Sequence, residues 1–206
     1  MTDPAERRRN PRGEGARLRG EILAAVDDLL AHGETVTLRS IARRAGIAAP
    51  SIYRHFADLD AIMLVVVERA FADLVDMLGR ARDDHREPAD RLRAICRRYL
   101  AFAHEQPARY RLMFGGVWDA TAALVAHPQD EARLRTVGLD AFAVFVDAVR
   151  ECARAGVSTS ADPDRDAAAL WVGLHGLAEL RETARLFPWP ASLDDTLVSE
   201  LAHLAP

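Results

Sequence analysis

Residues 37–56, T-L-R-S-I-A-R-R-A-G-I-A-A-P-S-I-Y-R-H-F, gather side chains able to engage a nucleic-acid duplex. Ser51, Arg54 and His55 fall on one polar helix face with Tyr53 beside them, and Thr37 stands where a helix N-cap belongs. Arg39, Arg43, Arg44 and Arg54 surround the turn, and an arginine's planar fork suits phosphates and guanine edges alike. Tyr53 and His55 flank Arg54, adding a ring and an imidazole to one polar edge. Competing chemistry is hard to assemble. The G-x-S-x-G, H-E-x-x-H, G-x-x-x-x-G-K and paired-cysteine motifs are all missing from the sequence. A di-iron bundle needs two Glu-x-x-His motifs with further carboxylates, and only Glu200-Leu-Ala-His203 has that spacing. The 7 histidines include no i, i+4 pair. Catalytic residues, a metal site and a cofactor are therefore not expected, and the chain reads as a non-enzyme.

Composition sets the frame for that edge. The 206 residues are 50% hydrophobic and 28% charged, enough for one or two small domains with an apolar core. With 27 basic residues against 31 acidic ones the net charge is −4, so polyanion binding must rest on a local patch. Every basic residue other than histidine is arginine, the side chain best suited to phosphates and guanine edges. Cys96 and Cys152 lie far apart with no C-x-x-C, which disfavours a disulfide framework and places the chain in the reduced cytoplasm. Arg7, Arg8, Arg9 and Arg12 are followed by no apolar region of the kind a secretory signal needs. The longest apolar run, residues 61–67, falls far short of the roughly 20 residues that span a bilayer, so no membrane association is expected.

The elements that must hold the polar edge are helices. Leu18, Ile22, Val26 and Leu29 share one helical face, Leu23 and Leu30 widen it, and Gly33 sits at a C-cap position. Thr37 is an N-cap for a second helix running through Ile41, Ala42 and Ala45 to Gly46, whose freedom at positive φ allows a sharp turn. A third, over 49–56, buries Ile52 and Phe56. Longer amphipathic stretches follow at 59–82 and 88–104, then 107–114, 131–155, 163–186 and 192–204. Period-two alternation and internal repeats are absent, so the spacing predicts an all-α chain of about nine helices. Residues 1–16 read as a flexible Arg-rich arm, 17–62 as a three-helix helix-turn-helix domain, and 63–206 as a larger helical domain. Helix–glycine–helix also occurs in ordinary bundles. Here the arm ahead of it, the arginines around the turn and the filled apolar positions favour a second helix that enters the DNA major groove. Tyr53 packed as a core aromatic and Arg43 and Arg44 as a solvated face are the plainer alternatives.

Residues 45–62, A-G-I-A-A-P-S-I-Y-R-H-F-A-D-L-D-A-I, resemble the signature of the tetracycline-repressor (TetR) family of transcriptional regulators. The resemblance is strong over about residues 17–64, and W-V-G-L-H-G-L-A-E-L at 171–180 resembles the C-terminal domain of one subgroup with a W-x-x-x-H-G pattern. It implies that Thr37 meets a phosphate, that Arg39 reaches a guanine edge, and that Pro50 and Ser51 open the recognition helix toward the bases, with Arg54 on the same face. Tyr53 and His55 match the family's Tyr-x-His pair, which contacts phosphates or a thymine methyl. Two departures stand out. Ala48 occupies a position often held by Ser or Thr, so the recognition helix lacks its side-chain cap. Leu59, between Asp58 and Asp60, replaces a common Lys, removing a phosphate contact and placing carboxylates near the DNA backbone.

The same resemblance implies a ligand cavity and a dimer interface in the larger domain. Phe102, Tyr110, Phe114, Trp118, Trp171 and His175 are the candidate ligand-binding residues as a group, although each taken singly reads more simply as a core side chain. His175, one turn after Trp171, can bond a ligand or satisfy a buried carbonyl. Gly173 and Gly176 each cost ~1 kcal/mol in a helix interior relative to Ala. Close packing of another helix, for instance across a two-fold axis, accounts for them, and helices 131–155 and 163–186 are the candidates for a four-helix dimer interface. The expected protein is a homodimeric regulator, most simply a repressor, on a palindromic double-stranded operator, released by an unidentified small and mostly apolar effector. The alternative is a helical ligand-binding or protein-interaction module with weak or lost DNA binding.

Overall fold

A computed structural model of the chain describes residues 14–205. Among them the chain forms ten α-helices and two 3-10 segments; the one β feature is an isolated bridge between Ser158 and Leu204. In order these are α1 (Glu14–Ala31), α2 (Leu38–Ala45), a 3-10 segment (Ala49–Arg54), α3 (Leu59–Asp83), α4 (Pro88–Glu105) and α5 (Pro107–Phe114). Then come α6 (Ala120–Ala126), a 3-10 turn (Pro128–Asp130), α7 (Glu131–Thr136), α8 (Leu139–Arg154), α9 (Pro163–Thr183) and α10 (Leu193–Leu201). No helix among the described residues is long and apolar enough to cross a membrane. Of the Arg-rich arm expected over 1–16, residues 1–13 lie outside the described residues and 14–16 form the first turn of α1.

The chain divides into two compact units, one through Val66 and one from Val67 onward, so the division falls inside α3, a turn later than the expected boundary after residue 62. In the smaller unit α1 packs on α2, and α2 on the 3-10 segment. Ile22, Val26, Leu29, Ile41, Ile52 and Ile62 are wholly buried, and each is worth about 1.5–3 kcal/mol relative to exposure.

In the larger unit α4, α8 and α9 pack pairwise, and α10 lies against α9 and α4. Leu92, Ile95, Tyr99 and Phe102 of α4 form the core with Phe145 and Val149 of α8 and Leu170 and Leu174 of α9. Three local features depart from the periodicity. The stretch expected as one helix over 131–155 is broken at Gly138, whose φ of +83° separates α7 from α8. Helix α6, not anticipated from the sequence, exists because the Asp119 carboxylate accepts the Thr121 and Ala122 N–H groups at 2.8 and 3.1 Å. The close approach expected at Gly173 occurs within the chain: a Cβ there would lie 2.9 Å from Cδ1 of Leu201 on α10, whereas Gly176 faces open space.

Candidate nucleic-acid interface and aromatic cavity

The polar edge begins with the cap of α2. Thr37 is extended at φ −142°, ψ 159°, and its Oγ accepts the Ser40 N–H at 3.0 Å. Ser40 Oγ accepts the Thr37 N–H at 2.8 Å, so a serine closes the capping box that usually ends in Glu or Gln. Ser40 is buried and also donates to the Thr35 carbonyl at 2.8 Å, pinning the loop to the helix. Thr37 and Arg39 stay exposed beside the first turn, where helical N–H groups lack intrahelical partners. At the other end Gly46 takes φ +67°, and the Ile47 N–H closes on the Ala42 carbonyl at 3.0 Å, reversing the chain into the next segment.

That segment is a 3-10 helix, not the α-helix the spacing predicts, and its three-residue period sorts the side chains into rows. Ala49, Ile52 and His55 form the inner row, with Ile52 wholly buried and His55 half-buried. Pro50 and Tyr53 form the outer row, and Tyr53 is 60% exposed, which excludes it as a core aromatic. Ser51 and Arg54 form the third, close enough for Arg54 Nη2 to approach Ser51 Oγ at 3.4 Å. The uncapped start at Ala48 has a local reason. Pro50 carries no N–H, and the Ser51 N–H already donates to the Ala48 carbonyl at 2.8 Å, so few orphan donors remain for a capping hydroxyl.

Electrostatics separates the arginines. The Arg44 guanidinium bonds Asp28 and Glu34, which raises its pKa above the usual value, the Asp28 contact contributing most. Its charge is thereby neutralised. Arg43 lies 4.0 Å from Glu34. Neither Arg39 nor Arg54 is ion-paired among the described residues, so these two present the unneutralised guanidinium groups of the edge. Arg19 of α1, not singled out from the sequence, donates to the His55 carbonyl at 3.1 Å and lies 4.2 Å over the Phe56 ring. It ties the end of the recognition segment to α1, across a separation that local spacing does not report. Asp58 accepts the Ala61 N–H at 2.9 Å, so one of the two carboxylates flanking Leu59 serves as the cap of α3.

In the larger unit the aromatic side chains surround a cavity of about 380 Å³ whose lining includes Phe71, Tyr99, Phe114, Phe142, Phe145 and Trp171. Behind this wall the Tyr110 hydroxyl bridges Tyr99 Oη at 3.1 Å and His175 Nδ1 at 2.6 Å. His175 thus satisfies a hydroxyl, not the backbone carbonyl considered from the sequence. Its ring lies nearly parallel to Trp171 and Tyr110, at interplanar angles of 24° and 27°. Burial pushes the Tyr99 hydroxyl up to about 12, the hydrogen bond with Tyr110 acting against it, and burial raises Tyr110 as well. Of the candidate ligand residues, Phe114 and Trp171 line the cavity, while Tyr110 and His175 stand behind it through the hydroxyl chain. Phe102 is wholly buried against Tyr110 and does not line it; Trp118, half-buried, lies outside the lining. Phe71 and Tyr99 were not among the candidates, because only the fold brings α3 and α4 to the same hollow. Among the described residues no group of three or more His, Cys, Asp or Glu side chains is placed to hold a metal ion.

Comparison with known proteins agrees with this architecture. Residues 22–66 match the tetR family of bacterial regulatory proteins, and residues 92–204 match the tetracyclin repressor-like C-terminal domain. The chain belongs to the tetracycline-repressor (TetR) family. It is 36% identical over 90 residues to the HTH-type transcriptional regulator Rv1816 of Mycobacterium tuberculosis, a match covering 42% of this chain and 38% of that protein. The nucleoid occlusion factor SlmA of Vibrio cholerae is 27% identical over 100 residues, 47% of this chain and 51% of that one. The chain therefore aligns with only about two fifths to one half of the length of these curated relatives. Among solved structures, a Rhodococcus sp. RHA1 protein of unknown function superposes with a TM-score of 0.74 at 25% identity, covering 94% of this chain and all of the other. A tetR-family regulatory protein from Rhodococcus RHA1 superposes with a TM-score of 0.67 at 16% identity, over 92% of this chain and 99% of that one, a likeness of fold.

Proposed function

We propose that the protein is a ligand-responsive DNA-binding transcriptional regulator that acts in the cytoplasm as a homodimer on a palindromic operator, as a repressor released by a small, mostly apolar effector. The carrying observation is the outward row of Pro50 and Tyr53 beside the unneutralised Arg39 and Arg54, held by the buried Ile52 and Phe56. Thr37, with its exposed first turn, is assigned to a phosphate, and Ser51 and His55 to the flanks of the same groove. Two such edges in a dimer need a separation of about 34–36 Å to reach successive major grooves. On α9, exposed Val172 and Leu180 flank the open Gly176 at i, i+4, i+8 spacing, which supports this helix as the face that meets a second copy. The stacked Trp171 and His175 support membership of the W-x-x-x-H-G subgroup.

The test is a gel-shift assay with the DNA upstream of the protein's own gene. Arg39→Ala should weaken binding by about 1–3 kcal/mol, and Tyr53→Ala should weaken it too, with helical circular dichroism retained in both. Unchanged binding by both variants defeats the assignment. Leu59, where the family commonly has a Lys, and the net charge of −4 favour the second reading, a helical module with lost DNA affinity. No DNA association at ~50 mM salt selects that reading, whereas binding that falls steeply as salt rises selects the first.

A further inference from the structure

We propose that the aromatic cavity selects an uncharged ligand, an apolar body with at most one hydrogen-bonding group, and rejects carboxylates and ammonium ions of the same shape. The proposal rests on the effector reading above and narrows its chemistry.

None of the residues lining the cavity carries a charge. The lining side chains that carry a polar group are Tyr99, with its hydroxyl, and Trp171, with its indole N–H. Tyr99 is wholly buried and its hydroxyl is bonded to Tyr110 at 3.1 Å behind the wall, so the lining offers a ligand at most one more bond from that oxygen. An anion entering here meets no cation. A guanidinium lies in an adjoining cleft of about 340 Å³, which shares Phe71, Val137, Gly138 and Ala141 with the cavity. There Arg133 is already bonded twice by Glu68, at 3.1 and 2.6 Å, and stands 3.7 Å from Asp130. The cleft also carries Asp76 and Asp140, so its carboxylates outnumber its guanidinium and it offers an anion no net attraction. Phe71 lines both hollows, and its Cε1 would lie 2.9 Å from a Cβ on Gly138. An ammonium ion would gain from the aromatic faces but would find no carboxylate in the lining, and removing an ion from water costs more than ring faces return. Six aromatic side chains with a single shared hydroxyl match a flat, neutral hydrophobe.

The experiment titrates the full chain at pH 7 with three probes sharing one biphenyl body: 4-phenylphenol, 4-phenylbenzoate and 4-phenylbenzylammonium. Binding is followed by calorimetry and by tryptophan fluorescence, which Trp171 in the cavity wall should report. The phenol should bind at least about a hundredfold tighter than either ion. Ala168→Phe, which fills the cavity, should abolish its binding, and Leu139→Trp at the exposed rim provides a second block that leaves the core unstrained. If an ion binds as tightly as the phenol and both variants abolish it, charge selection is overturned while the cavity remains the ligand site. If no probe binds, or neither variant alters binding, the cavity itself is not the site and the proposal falls with it.

Discussion

Replacing Tyr110 by Phe isolates the hydroxyl chain of the larger unit from its packing. Tyr110 is 3% exposed, and its ring sits among Phe114, Tyr99 and Phe102 at centroid distances of 5.0, 5.9 and 6.3 Å, all of which phenylalanine preserves. What disappears is the oxygen that joins Tyr99 Oη to His175 Nδ1. Two neutral hydrogen bonds at about 0.5–1.5 kcal/mol each give an expected loss of about 1–3 kcal/mol at pH 7. A pH signature accompanies it. Both tyrosines are held protonated by burial, Tyr99 to about 12 against an ordinary value of 10.0. Below pH 10 the folded and unfolded chains bind these two protons equally, and the pH dependence that begins near 9 comes from the buried thiols of Cys96 and Cys152, which burial also raises and which Tyr110→Phe leaves in place. Above pH 10 the unfolded chain releases the tyrosine protons while the folded chain does not, so stability falls as pH rises. The slope is about 1.4 kcal/mol per pH unit for each tyrosine, up to the folded pKa. Removing Tyr110 should halve that combined slope. Guanidinium denaturation followed by tryptophan fluorescence reads the right region, because Trp118, Trp171 and Trp189 all lie in the larger unit. A stability change under about 0.5 kcal/mol, or an alkaline slope equal to that of the parent chain, would refute the hydroxyl chain as a stabilising element.

Other outcomes follow from the same geometry. Gly138→Ala combines positive-φ strain with a Cβ 2.9 Å from Phe71, an expected loss of about 2–5 kcal/mol by chemical denaturation, and a loss below ~1 kcal/mol would contradict it. Ala48→Ser should stabilise by well under the ~1 kcal/mol of an ordinary N-cap, because Pro50 has no N–H and that of Ser51 is taken; a full-sized gain in thermal melts would count against that explanation. In salt titrations of DNA binding, Arg39→Ala and Arg54→Ala should each lower the slope by about 1, whereas Arg44→Gln should leave it unchanged because Asp28 and Glu34 already neutralise that charge. Equal slopes for all three variants would show that ion pairing within the unit does not govern which arginines meet phosphate.

Much of the architecture is legible without coordinates, and for a local reason. Buried faces recur every three to four residues, so Ile22, Val26 and Leu29 announce α1, and prolines at 88, 107 and 163 stand at the first turns of α4, α5 and α9, where a missing N–H costs nothing. The glycine turn at Gly46 and the cap at Thr37 are equally local, which is why the two short elements of the nucleic-acid edge could be placed to within a residue or two. The 3-10 form of the recognition segment was not legible. An α-helix's i, i+4 spacing places Ile52 and Phe56 on one buried face, whereas the 3-10 rows bury Ile52 with Ala49 and leave Phe56 beyond the segment's end, and the choice between them decides that Pro50 and Tyr53 share the outer face.

What the amino-acid order determined by itself is the set of helices, their caps and breaks, and the family signature at 45–62, because each depends on neighbours within a few residues. Tertiary structure decided which charges and hydroxyls remain available. Arg44 is silenced by Asp28, 16 residues away, Arg19 reaches His55 across 36, and Tyr110 finds His175 across 65. Hydrogen bonds and ion pairs act over a few ångströms of space, and only the packed chain converts those sequence separations into contact.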